Sequence, residues 1–153
     1  MIEHIWTVLC SRVITSRETN NVSLIEVTEE LGLDVGMEGD KKITDQSVIP
    51  TVIPLPFSLI LVSLWSRMED NKPIVGTAKD ILLTPSGKTL GEQEFKINLS
   101  DHMRMRTMRN LIHLPIPVKE SGKYRFRTEL LDEENKTWKA VSNIPLIINT
   151  KMI

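Results

Sequence analysis

Histidine, cysteine and serine are the side chains that most often carry catalysis or hold metals, so their spacing is the first thing to read. The histidines are His4, His102 and His113, and Cys10 is the single cysteine. No His-x-x-x-His and no Cys-x-x-Cys occurs, so no metal-ligand set is expected. Cys10 and His4 have the residue types of a nucleophile and its base. They share strand parity with Trp6 and Val8, six residues apart. On an extended strand that is about 20 Å, too far for a direct proton transfer. There is no Gly-x-Ser-x-Gly elbow. Gly32, Gly36 and Gly39 are not followed by the Lys-Ser or Lys-Thr of a phosphate loop. The sequence therefore points to no catalytic residue, no metal and no cofactor.

Binding chemistry is better represented. Arg104, Arg106 and Arg109 cluster, and Arg125 and Arg127 alternate along a later segment. If the two segments pair or lie close, these five form a basic stripe that suits an acidic protein surface or another polyanion. Nucleic acid is disfavoured, because stacking platforms are scarce: Trp6, Trp65, Trp138, Tyr124, Phe57, Phe95 and Phe126 all read as core. Acidic residues gather at Asp34, Glu38, Asp40 and Asp45, at Glu69-Asp70 and at Asp132-Glu133-Glu134. A calcium site would need six to eight oxygens, and no loop has a paired Asp-x-Asp, so solvated turns are expected. The most suggestive stretch is Val48, Ile49, Pro50, Val52, Ile53 and Pro54. Its prolines forbid a regular inner strand, and its aliphatics need cover. Either it packs on its own domain or it docks on another chain.

The elements that must position these residues are strands. In Lys123 to Leu131, Tyr124, Phe126, Thr128 and Leu130 alternate with Lys123, Arg125, Arg127 and Glu129, a half-buried strand. In Glu92 to Leu99, Phe95, Ile97 and Leu99 face inward. The turn Pro85-Ser86-Gly87-Lys88 makes a hairpin with Ile74 to Leu83. Trp138, Ala140, Ser142, Ile144, Leu146 and Ile148 share one face. Phe57 to Trp65 is apolar on both faces, as in a central strand. Glu3 to Cys10 and Val22 to Val27 flank a hairpin loop. His102 to Ile112 fits a strand or a helix, and its neighbours favour a strand. Thr28 to Leu31 reads as a helical turn, and residues 32–56 read as a long irregular loop. The expected architecture is an all-β Greek-key β-sandwich of about eight strands, immunoglobulin-like or C2-like, in one domain spanning 1–153.

Composition agrees. The 153 residues are 41% hydrophobic and 25% charged, and 19 basic against 20 acidic residues leave a formal net charge of −1. No whole-molecule field would steer the chain to nucleic acid or an anionic membrane. The apolar run Phe57 to Trp65 is far short of the roughly 20 residues of a spanning helix. The start lacks a basic leader segment, and a single cysteine suits a reducing compartment, so a cytoplasmic address is expected.

Several pieces together carry a resemblance. They are Trp6 to Cys10 with Thr19-Asn20 and Ser23-Leu24-Ile25, then Leu55-Pro56-Phe57 leading to Leu64-Trp65, then Pro85-Ser86-Gly87, Gly122-Lys123-Tyr124-Arg125-Phe126-Arg127, Trp138 and Ile144-Pro145-Leu146. On these the chain resembles a family of uncharacterised bacterial all-β proteins of about 150 residues, over most of its length except Gly32 to Pro54. The resemblance implies a fold and no activity. The Gly-x-Tyr-x-Phe entry to a strand is also similar to that of immunoglobulin-like and C2-like sandwiches, and fold alone does not fix function. The reading is a non-catalytic binding or assembly module, acting on a protein partner or a second copy of itself. An anion- or lipid-surface-binding domain and an enzyme with an unrecognised site are the alternatives.

Overall fold

The computed structural model describes the chain except residues 36, 39–40, 43–50, 70–71 and 153, and carries no side-chain description for 37, 38, 41, 42 and 152. The described residues are all β, with no helix. The four-stranded sheet holds β1 (Ile2–Thr15), β2 (Val22–Val27), β7 (Leu59–Arg67) and β10 (Arg104–Leu111), in the order β10-β7-β1-β2. The five-stranded sheet holds β3 (Glu30–Val35), β8 (Val75–Leu83), β9 (Thr89–Asn98), β12 (Gly122–Asp132) and β13 (Thr137–Met152), in the order β3-β13-β12-β8-β9. Two small ribbons complete it: β4 (Met37–Glu38) with β5 (Lys41–Lys42), and β6 (Val52–Pro54) with β11 (Pro115–Pro117).

The two large sheets pack face to face as a Greek-key sandwich, and the pairing scheme is immunoglobulin-like. β7 leads across to β8 in the other sheet, β8 and β9 form a hairpin, and β10 returns to pair with β7. The Tyr124 hydroxyl donates to the Glu120 carbonyl four residues upstream at 2.5 Å. That is the tyrosine corner of such sandwiches. Gly87 closes the β8–β9 turn with φ of 88°, a left-handed conformation that glycine tolerates without cost.

Strand alternation holds where the sequence shows it most strongly. Tyr124, Phe126 and Thr128 are buried, and Lys123 and Arg125 are exposed. Residues 102–112 do form a strand, β10. Phe57 to Trp65 is the central strand β7, starting at Leu59, with Leu61, Val62 and Ser63 all buried.

Four expectations need correction. Thr28 to Leu31 is not a helical turn. Glu30–Val35 is a strand that runs parallel to β13, with Glu30 against Ile147 and Val35 against Met152. Accordingly the irregular segment does not start at residue 32, and β6 occupies part of its far end. A bulge between His4 and Trp6 shifts β1 by one residue. It turns His4 to the inner face beside Thr7 and Leu9, and sets Trp6, Val8 and Cys10 on the other side. A second bulge lies between Thr128 and Glu129, opposite Val141. It moves Trp138 and Ala140 off the core face, and Trp138 instead lies beneath Lys79, whose Nζ is 4.3 Å from the ring centroid. Trp6 and Trp138 are thus half-buried outer residues and Phe57 is 41% exposed, so these three are not core.

The core itself is divided. One apolar cluster holds Leu9, Leu61, Leu82, Tyr124, Phe126, Leu146 and their neighbours. The other holds Ile2, Trp65, Ala78, Ile97 and Leu99. Between them runs a polar belt. In the four-stranded sheet, Thr7, Ser63 and Thr107 stand in register across β1, β7 and β10. In the five-stranded sheet, Ser142, Thr128, Asp80 and Gln93 stand in register across β13, β12, β8 and β9. Buried polar groups are costly unless hydrogen-bonded, and most of these are bonded. Thr7 Oγ1 lies 2.7 Å from Ser63 Oγ and 2.6 Å from His4 Nε2. Trp65 Nε1 donates to Thr107 Oγ1 at 2.9 Å, and Thr128 Oγ1 donates to Asp80 Oδ1 at 2.7 Å. Burial holds the His4 imidazole below its ordinary pKa, against a smaller opposing effect of a backbone hydrogen bond at Trp6.

Candidate functional site

A candidate surface site lies on the outer face of the four-stranded sheet, and the β1–β2 hairpin builds it. β2 pairs with Cys10 to Thr15, and only Cys10 also belongs to the part of β1 that pairs with β7. From Trp6 to Thr15 a straight strand would travel about 30 Å. Yet Arg106 Nη2 donates to the carbonyl of Asn20, in the hairpin tip, at 2.8 Å and to its side-chain Oδ1 at 3.0 Å. Arg106 stands in the same row as Leu64 and Trp6. The ribbon therefore folds back over the sheet. Asn20 adopts a φ of 56°, a left-handed conformation in which asparagine is enriched. The tip is further tied by Ser16 N to the Asn21 carbonyl and by Asn20 N to the Ser16 carbonyl.

Between tip and sheet lies a cleft of about 500 Å³, lined by Trp6, Asn20, Asn21, Leu64, Arg104 and Arg106 among others. Its chemistry is cationic. Arg106 is half-buried and aimed by Asn20, whereas Arg104 is exposed. Among the described residues no acidic side chain lines this cleft. Glu3 shares a row with Ser66 and Arg104 but forms no ion pair with that arginine. Trp6 offers an aromatic wall, and the Asn20 and Asn21 amides can donate to an oxyanion. Paired guanidinium forks beside an aromatic face suit carboxylate or phosphate groups on a partner.

The five arginines of the expected stripe are not brought together. β10 and β12 belong to different sheets. Arg104 and Arg106 lie on the outer face of one sheet, and Arg125 and Arg127 on the outer face of the other, across the thickness of the sandwich. Arg127 is occupied by Glu129, with Nε 3.0 Å from Oε1, and Glu129 also meets Lys79 at 3.3 Å. Lys79 in turn reaches Glu92 at 3.4 Å. Arg109 shares register with Leu61, an inner residue, so it points between the sheets and not outward.

Val48, Ile49 and Pro50 lie outside the described residues. Ile53 packs against the first apolar cluster, and Leu55 just beyond it is fully buried. Val52 and Pro54 are exposed. β6 pairs with β11 through Ile53 and Ile116, and the Leu55 amide donates to the Leu114 carbonyl. The described part of the proline stretch is therefore seated on its own sandwich, with Val52, Pro54 and Phe57 left on the surface. The acidic turn at residues 132–134 bonds to itself: Asp132 accepts from the Glu134 and Asn135 amides, and Glu133 meets Lys136. Among the described residues, no three His, Cys, Asp or Glu gather as a metal-holding group, and no helix is long and apolar enough to cross a membrane.

No protein-family model matches this chain. No curated protein matches it either. Its chemistry has to be read from its own surface.

Sequence reasoning placed Arg104 and Arg106 in a binding role but missed Trp6, Asn20 and Asn21. Asn20-Asn21 in a hairpin tip signals left-handed backbone, and that was the available clue. The fold-back that joins the tip to Arg106 has no local marker.

Proposed function

We propose that the protein is a non-catalytic binding or assembly module that recognises an acidic partner protein through the cleft under its β1–β2 hairpin tip. One observation carries this reading: Arg104 and Arg106 line a cleft of about 500 Å³ beside Trp6, with no carboxylate among its described lining residues. A glutamate or aspartate side chain, or a phosphorylated one, meets two guanidinium groups there, and the aromatic wall shields the pair from water. The proposal includes a bacterial origin and a cytoplasmic address. The family resemblance supports the first, and a lone, buried Cys10 supports the second.

The test is fluorescence anisotropy with a labelled glutamate-rich peptide and a lysine-rich peptide as control. The glutamate peptide binds, its affinity falls with salt, and Arg104→Glu weakens it by about tenfold or more. Arg125→Glu, on the opposite face, leaves binding unchanged. Equal weakening by both substitutions, or no binding at low salt, overturns the reading. Anionic vesicles are the control for a lipid surface, since a lipid headgroup would use the same two arginines.

A further inference from the structure

A second cleft, of about 350 Å³, opens between the edge strands β9 and β10 onto the end of the polar belt. Leu61, Asp80 and Thr107 line it, and Gln93, Phe95 and Arg109 stand around them. Asp80 is 4% exposed. Its carboxylate receives one hydrogen bond among the described residues, from Thr128 to Oδ1. A buried carboxylate with so few donors is expensive to keep. Burial pushes the Asp80 carboxyl above the ordinary carboxylate value, while Thr128 and the nearby Arg109 charge oppose the shift.

Arg109 reaches across from the other sheet. Its Nη1 donates to the Asp80 backbone carbonyl at 3.3 Å, and its Nη2 lies beside Gly91. The guanidinium forms no ion pair within 4 Å of the Asp80 carboxylate. Both groups thus keep hydrogen-bonding capacity facing one small space. An inward charge on an edge strand also discourages pairing with another chain, but that role needs no carboxylate on the facing sheet.

We propose that this cleft binds a polyhydroxylated ring, either a free monosaccharide or the terminal sugar of a glycan. The volume lies in the range of small-ligand pockets, with a few convergent polar groups on a partly apolar wall. Lys96 also borders the cleft, but it stands off the inward row and its ammonium donates to Thr77 Oγ1 at 2.6 Å. The inward charges are those of Asp80 and Arg109, which give an ionic ligand of either sign one attraction and one repulsion, so a neutral ligand fits best. Each sugar hydroxyl is at once a donor and an acceptor. One of two neighbouring hydroxyls donates to the Asp80 carboxylate while the other accepts from Arg109, and the Gln93 amide and Thr107 hydroxyl complete the set. The apolar C–H face of the ring packs on Phe95, which is half-buried and held edge-on against Trp65 with ring centroids 6.2 Å apart. This site lies apart from the arginine cleft under the hairpin tip and does not depend on the function proposed for it.

Saturation-transfer NMR on the full chain tests the proposal, with D-glucose, D-galactose, D-mannose, D-ribose, 2-deoxy-D-glucose and maltotriose as probes. Saturation transfers to at least one of the fully hydroxylated sugars. Amide shifts then move at Gln93, Thr107, Arg109 and Asn110. Asp80→Asn keeps the shape and the Thr128 hydrogen bond but lowers affinity about tenfold. Gln93→Ala, at the exposed mouth, lowers it with the fold intact by circular dichroism. Tighter binding of maltotriose than of D-glucose assigns the site to a glycan end, and equal binding assigns it to a free sugar. The proposal is overturned by absence of transfer from every sugar, by shifts confined to Trp6 and Asn20, or by undiminished affinity in both variants.

Discussion

Replacing Tyr124 with phenylalanine isolates one hydrogen bond. The ring stays, fully buried, so no cavity opens. What goes is the 2.5 Å bond to the Glu120 carbonyl, which is left without that donor. Losing one partner of a buried hydrogen bond costs about 1–3 kcal/mol. For a chain of this size each kcal/mol lowers the melting temperature by about 2–4 °C, so calorimetry at neutral pH should find Tyr124→Phe lower by about 2–12 °C. A second readout has a definite sign. Burial first, and the Glu120 charge second, push the Tyr124 hydroxyl up to about 12 from its ordinary value of 10.0. An acid whose folded pKa is raised binds its proton more tightly when folded. Its contribution is constant below the unfolded value and falls as pH rises from about 10 to about 12. The native chain therefore loses stability in that window through this residue and the phenylalanine variant does not, so the gap between them closes. An unchanged melting temperature at neutral pH, or a gap that stays constant through the alkaline window, would refute the corner as a stabilising contact.

Three further outcomes are expected. In urea denaturation Phe126→Ala costs about 3–5 kcal/mol, because the ring is 1% exposed at the centre of the first cluster; Arg125→Ala costs under about 1 kcal/mol, and equal losses would mean that β12 faces the other way. Asp80 has a raised folded pKa, so native stability falls as pH rises above the unfolded carboxylate value, whereas Asp80→Asn removes that slope; a variant with the native slope would contradict the assignment. Cys10 is fully buried and its thiol is pushed up by desolvation, so a thiol reagent labels it slowly and at a rate that climbs with urea; fast labelling in native buffer would show that its cover opens locally.

Much of the sandwich was legible because alternation is a local signal. Lys123 to Leu131 and Glu92 to Leu99 announce their inner faces without any knowledge of their partners. The failures come from features one residue long. A bulge at Ile5 or Val141 moves every later side chain to the opposite face, and the bulge leaves no compositional mark. That is why Trp6 and Trp138 lie on the faces opposite to those expected, and why His4 does not share a face with Cys10. Arg109 could have been placed: it shares parity with Met105 and Thr107, so the alternation already turned it inward, and only its charge argued otherwise. The polar belt was visible one residue at a time, with Thr107, Thr128 and Ser142 at inner positions. That they fall in line with Asp80 and Ser63 depends on register between distant strands. Glu29-Glu30-Leu31 reads as helix by local preference, and its pairing with β13 outweighs that preference.

The parallel pairing of β3 with β13 has a consequence for how the chain is made. Its partners Glu30 and Ile147 stand 147 − 30 = 117 positions apart. As the protein leaves the ribosome, Leu31, Leu33 and Val35 emerge early and wait for the last described strand. Contacts of such long span are the slow ones to form. Until synthesis nears residue 152, the nascent chain carries an open sheet edge with buried-type side chains beside it, the kind of surface that chaperones hold.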